Sequence, residues 1–154
     1  MKIFVQLLFL LPLTCSGQLI GKVISIADGD TFTLQTKNEK IKIRLHGIDC
    51  PEINQDYGDV AKKYLIVQIS FHGDSVTVQK TDVDRYGRTV GIAYSGKTNI
   101  NESLLEHGLA WHYKRYDQNP MWDQLEKGAR LARFNLWSNE NAIPPWEFRK
   151  SKNR

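Results

Sequence analysis

The chain has 154 residues, 41% hydrophobic and 25% charged, with 21 Lys and Arg against 17 Asp and Glu for a formal net charge of +4. That length supports one compact domain with a real core and not two. The ordinary composition and its 2 cysteines exclude a disordered, collagenous or disulfide-stapled chain. The mild positive charge is compatible with a polyanionic partner and requires none.

Met1–Gly17 differs in character from the rest of the chain. Lys2 gives a short positive start, Ile3 to Leu13 is apolar apart from Gln6 and Pro12, and Cys15-Ser16-Gly17 supplies small residues for cleavage. This pattern is that of a secretory signal peptide, and it is too short to span a bilayer. Its expected consequence is a secreted or periplasmic protein that begins at Gln18. A second reading lipidates Cys15, although Thr14 fits a lipoprotein signal poorly, and a third makes the segment a buried strand or helix. Cleavage after Gly17 leaves Cys50 alone, so no internal disulfide is available.

From Leu19 the chain reads as short strands. Leu19 to Ala27 is rich in Ile and Val, Asp28-Gly29 signals a hairpin, and Thr31 to Thr36 is a second strand with Phe32 and Leu34 on one face. A turn at Lys37-Asn38-Glu39 leads to a third strand, Lys40 to His46. There Ile41, Ile43 and Leu45 alternate with Lys42, Arg44 and His46, which sends Arg44 away from the core face. Short turns between consecutive strands argue for an antiparallel core.

Two stretches in this region carry candidate chemistry. Asp30 starts the second strand; Asp28-Gly29-Asp30 is either a hairpin closure and nothing more or the source of a projecting carboxylate. Arg44-Leu-His-Gly-Ile-Asp-Cys-Pro-Glu52 places a guanidinium beside two carboxylates on a loop bent by Gly47 and fixed by Pro51. It is either a surface ion pair or a site for a metal-assisted reaction on a phosphate. If the strands curl into a barrel, Asp30 and Asp49 can meet and hold a hard cation through oxygen. Cys50 is either a nucleophile or a small packed side chain, and the packed reading is preferred because no His/Asn pairing accompanies it.

Further along, Tyr57, Val60, Ala61, Tyr64 and Leu65 recur at helical spacing, which predicts an amphipathic helix from about Asp56 to Ile69. Ser75 to Lys80 alternates as a fourth strand with Val76 and Val78 inward. A polar loop, Asp82 to Arg88, leads to a fifth strand, Thr89 to Tyr94. Tyr86 in that loop either stacks on a base or caps the barrel end. Asn101 is expected to cap a short helix ending at Gly108, and Asn119-Pro120 to start a longer one. His107 and His112 have no metal-ligand spacing, and Trp111, Trp122, Trp137 and Trp146 read as packing residues.

Four blocks in register carry a resemblance: Asp28-Gly-Asp-Thr31, Arg44-Leu-X-Gly-Ile-Asp-Cys-Pro-Glu52, Asp84-X-Tyr-Gly-Arg88 and Asn101-X-X-Leu-X-X-X-Gly-Leu-Ala110. Together they resemble the staphylococcal nuclease (thermonuclease) family over about Val23 to Trp137, and Pro144-Pro-Trp-Glu-Phe-Arg149 resembles the tail of bacterial members. The resemblance implies an α+β fold, a five-stranded antiparallel OB-fold barrel with three α-helices. It implies Ca²⁺ held by Asp30, Asp49 and the Cys50 main-chain carbonyl, Glu52 as general base, Arg44 and Arg88 on the phosphate, and Tyr86 near sugar or base. The expected activity is hydrolysis of DNA and RNA by a monomer, preferably on single strands, with little sequence specificity and 3′-phosphate ends. The alternative is an OB-fold module that binds single strands without cutting them. The sequence departs from the staphylococcal type in a shorter, less basic loop after Glu52, which carries Asp56 and Asp59, and in Cys50 where Ala or Thr is more usual.

Overall fold

The computed structural model describes residues 17–152. The leader reading, Cys15 included, falls on residues 1–16 and lies outside the described residues. Among those described, no helix is long and apolar enough to cross a membrane.

Alternation of apolar and polar residues produces five main strands: β1 (Gln18–Ile26), β2 (Thr31–Gln35) and β3 (Lys40–Leu45), then, after a two-residue strand β4 (Ile48–Asp49) and helix α1 (Gly58–Ser70), β5 (Ser75–Val83) and β6 (Thr89–Ser95). β1 pairs antiparallel with β2 and with β5, β2 with β3, and β5 with β6. The cycle closes where β3 meets β6, with Ile43 opposite Thr89 and Leu45 opposite Gly91. This is the OB-like barrel expected, with one difference in detail: the closing pair is parallel. β3 and β6 are far apart in sequence, and α1 and β5 supply the long crossover that a parallel pair needs. A register shift between Val23 and Ser25 in β1 adds the local twist that helps a small sheet curl.

The inward residues are those the alternation marks. Phe32, Leu34, Ile43, Leu45, Val76, Val78 and Ala93 are all buried. One open end is covered by α1, through Ala61, Leu65 and Ile69, and by α2 (Ile100–Glu106), which comes after a two-residue strand β7 (Thr98–Asn99). Val60, placed on the inner face by spacing, is exposed instead. α1 starts at Gly58, later than Asp56, because Tyr57 takes a left-handed φ of 64° and turns the chain into the helix. Gly58 has to be glycine: a Cβ there would strike the Glu52 carbonyl.

Beyond α2 lie a two-residue strand β8 (Trp111–His112), which pairs with β4, then α3 (Pro120–Leu131), a 3₁₀ turn at Asn135–Ser138, and α4 (Pro145–Lys152). α3 starts as expected at Asn119-Pro120, with the Asn119 side chain accepting from the Met121 N–H at 2.9 Å. Trp122 joins the main core, whereas Trp111, Ala129, Leu136 and Trp137 form a second cluster against which Trp146 packs. α4 is a fourth helix beyond the expected three.

Asn101 does not cap α2. Asn99 does, accepting from the Asn101 and Glu102 N–H groups. Asn101 is fully buried: its Oδ1 accepts from the Ala93 N–H at 3.0 Å and its Nδ2 donates to the His46 carbonyl at 2.9 Å. It thus ties β6 to the turn that leaves β3. Asn101→Ala should cost about 1–3 kcal/mol, since two buried main-chain groups lose their partners. Urea unfolding measures this; a midpoint within error of wild type would show that the tie is dispensable.

Candidate active site

The site is assembled by two turns. In the first, the Asp28 carboxylate accepts from the Asp30 N–H at 3.1 Å, an Asx turn that fixes Asp30 at the start of β2. Gly29 sits so close to α1 and the loop after β4 that a Cβ would lie 2.8 Å from both Ala61 Cβ and Cys50 Cβ. The absence of a side chain there lets the hairpin lie against that loop. In the second turn, Gly47 at φ 63° reverses the chain out of β3 into β4, which carries Asp49. The Leu45 N–H donates to the Asp30 carbonyl at 2.9 Å and locks the two turns side by side.

Arg44 occupies the space between them. Its Nη1 donates to the Leu45 and Ile48 carbonyls at 2.8 and 2.9 Å. Nη2 reaches Asp49 Oδ1 at 2.8 Å and Nε lies 3.2 Å from Asp30 Oδ1. A guanidinium has five N–H groups. Three make hydrogen bonds within the protein, Nε lies in ionic contact with Asp30, and one N–H on Nη2 remains. Alternation places Arg44 off the core face, yet its side chain is only 15% exposed because the turns fold over it.

Asp30 is buried and accepts further from the Thr31 hydroxyl at 3.1 Å and the Cys50 N–H at 2.7 Å. Burial is the largest influence on it. Arg44 opposes burial, Asp28 and Asp49 add to it, and the result is a carboxyl pushed from 3.8 to about 7. Burial also pushes the Cys50 thiol well up, with Asp30 adding to the effect. A buried thiol held in that form is a poor nucleophile, in line with the packed reading of Cys50.

Glu52 comes directly after Pro51 on a turn closed by the Gln55 N–H donating to the Glu52 carbonyl at 2.8 Å. Its side chain is 35% exposed. Its partner is a residue that sequence reasoning did not assign to the site: Arg149 of α4, whose Nη1 lies 2.7 Å from Glu52 Oε1 and whose Nη2 lies 2.7 Å from Asp49 Oδ2. The one signal in the sequence was Pro144-Pro145 ahead of a charged run, which marks a helix start and says nothing of where the helix docks.

Arg88 is positioned by the β5–β6 turn. Its Nε donates to Asp84 Oδ2 at 2.7 Å and its N–H to Asp84 Oδ1 at 3.0 Å. Burial would raise the Asp84 carboxyl, but the main-chain and side-chain hydrogen bonds from Arg88 outweigh it and lower it. Arg88 precedes Thr89, the register partner of Ile43, so it sits about two residues behind Arg44 along the neighbouring strand. It is therefore on the same side of the barrel but holds Asp84, not Asp30 or Asp49. Tyr86 is 69% exposed, with the Arg85 and Arg88 guanidinium carbons 4.8 and 5.6 Å from its ring centre.

Asp30 and Asp49 offer only oxygen, in a setting where one carboxyl already resists ionisation; that suits a hard divalent cation such as calcium better than zinc. Asp30 Oδ2 and Asp49 Oδ2 each accept one hydrogen bond and keep a lone pair. Among the described residues no three His, Cys, Asp or Glu side chains converge as a ligand group. Main chain, water and substrate would have to complete the shell, so affinity from the protein alone would be modest.

Known proteins share this chain's pattern. Residues 42–139 match the family described as Staphylococcal nuclease homologue. A Shigella flexneri protein named micrococcal nuclease is 39% identical over 145 residues, covering 86% of this chain and 82% of its own length. A Haemophilus influenzae protein described as an uncharacterized endonuclease is 37% identical over 132 residues, covering 85% of this chain and 73% of its own. A 38.1 kDa protein of Capnoides sempervirens is 45% identical over 113 residues, and this chain spans only 33% of it.

The raised Asp30 carboxyl has a signed consequence. The folded state holds this proton more tightly than the unfolded chain, so its stabilising contribution is full below 3.8 and is lost as pH rises towards about 7. Asp30→Asn, which mimics the protonated form, should therefore raise the melting temperature of metal-free protein by a few degrees at pH 8 and leave it unchanged at pH 4. A lower melting temperature at pH 8 would mean that attraction to Arg44 outweighs burial.

Proposed function

This chain belongs to the family of staphylococcal nuclease homologues, and from that membership we propose that it is a calcium-dependent endonuclease that hydrolyses phosphodiester bonds of DNA and RNA. The observation that carries the reading is the convergence of Asp30 and Asp49, far apart in sequence, on one buried guanidinium, with Glu52 beside them. Relatives named as a micrococcal nuclease and an endonuclease support it.

In this reading Asp30, Asp49 and the Cys50 main-chain carbonyl hold the cation. Bound calcium would neutralise phosphoryl oxygens and acidify an adjacent water. Glu52 takes the proton from the attacking water, and its partial exposure leaves it open to solvent. Arg44 offers the phosphate its remaining Nη2–H from a position that three hydrogen bonds and an ion pair to Asp30 keep rigid, so the donor needs no reorganisation as charge develops. Arg88 exchanges its bond to Asp84 for a bond to a phosphate oxygen, and its planar fork suits that target. Tyr86, flanked by two guanidiniums, offers a stacking platform to an unpaired base. Nothing in this set reads base edges, so sequence specificity is low; the exposed Tyr86 ring favours single strands, and membership of the family implies scission that leaves 3′-phosphate ends. The leader-like residues Met1–Gly17 support action outside the cytoplasm.

The exposed Tyr86 with Arg85 and Arg88 also favours a second reading, a module that binds strands without cutting. The two separate cleanly. The endonuclease degrades denatured DNA and RNA with calcium and stops with EGTA. Glu52→Gln keeps strand affinity and loses about 10²–10⁴ in rate. Strand binding with no cleavage under any divalent cation would leave the binding module; cleavage unchanged by EGTA would reject the metal.

A further inference from the structure

Arg149 lies where nothing in the proposed chemistry requires it. Its guanidinium spans Asp49 and Glu52 with two 2.7 Å contacts, and Nη1 also lies 3.4 Å from Asp49 Oδ1. Arg44 already engages Asp49 Oδ1, so Arg149 takes the carboxylate's other oxygen. Arg44 is the cation buried between Asp30 and Asp49; Arg149, with its side chain 44% exposed, supplies a second charge from the solvent side and links Asp49 to Glu52.

The helix that brings it is lightly held. Pro145 is the buried residue of α4. Trp146 stacks on Tyr113 with centroids 4.7 Å apart and meets Trp111 edge-on. A cleft of about 230 Å³, lined by Asn54, Gln55, Tyr57, Ile143 and Phe148, adjoins it and holds none of the site carboxylates. An eight-residue helix has little stability away from its docking surface. A divalent cation drawn to Asp49 would meet the like charge of Arg149, so the two compete for one carboxylate.

We propose that α4 is a latch: Arg149 acts as a resident counter-ion that closes over Asp49 and Glu52 in the metal-free protein and is displaced when a divalent cation binds. Closed, the latch occupies the base as well as a metal ligand; open, it frees Glu52 to accept a proton. The cation and the docked helix then oppose each other, and the opposition is reciprocal.

The test is calcium titration by calorimetry into the full chain, wild type, Arg149→Gln and Arg149→Lys, with hydrogen exchange of residues 145–152. Arg149→Gln should bind calcium about tenfold more tightly, Arg149→Lys should fall between, and calcium should speed exchange in α4 of the wild type. The side chain is half-exposed, so neither variant threatens the fold. Equal or weaker binding by Arg149→Gln, or α4 exchange indifferent to calcium, overturns the latch alone. The latch rests on Asp49 as a metal ligand; wild-type protein that binds neither calcium nor magnesium would overturn both.

Discussion

The arrangement depends on a guanidinium tied down by main chain. Arg44 gives two hydrogen bonds to carbonyls of its own loop before it touches a carboxylate. Its position is therefore set by backbone, and Asp30 and Asp49 are set by it. Placing two carboxylates and one cation out of water is costly. The charged hydrogen bonds of Arg44 offset that cost without cancelling it, and Asp30 carries the remainder as a carboxyl that holds its proton towards neutrality. A site left short of positive charge is a site prepared for a cation.

The barrel exists, in this sense, to bring Arg44 and the two turns together. The parallel contact of β3 with β6 fixes the strand that bears Arg44, and Asn101 fastens the turn at the end of that strand. Gly29 and Gly58 let the hairpin and the Glu52 turn press against their neighbours where any side chain would intrude. Two arginines touch the carboxylates with opposite characters. Arg44 is buried and fixed; Arg149 is half-exposed and arrives on a short helix that a few aromatic contacts hold in place.

Much of this was legible in the residues. Alternation in Lys40–Leu45 gave the strand and its outward Arg44, Asp28-Gly29 gave the hairpin, and Asn119-Pro120 gave the start of α3. These signals are local, and local chemistry settles them. What the sequence hid was set by tertiary contacts. Asn101 reads as a cap from the residues that follow it, yet the buried Ala93 N–H and His46 carbonyl draw it inward and leave Asn99 to cap the helix. The burial of Arg44 depends on two turns folding over it, and the pairing of Arg88 with Asp84 on the shape of a hairpin. Arg149 is about a hundred residues from its partners, and no period or spacing links them.

The most direct test of this account is the turnover of Arg44→Lys on denatured DNA at saturating calcium. Lysine keeps the charge but cannot bridge two carbonyls and two carboxylates at once. The account predicts a folded protein whose rate falls at least about a hundredfold. Turnover near that of wild type would contradict it, since the carboxylates would then be organised by something other than Arg44.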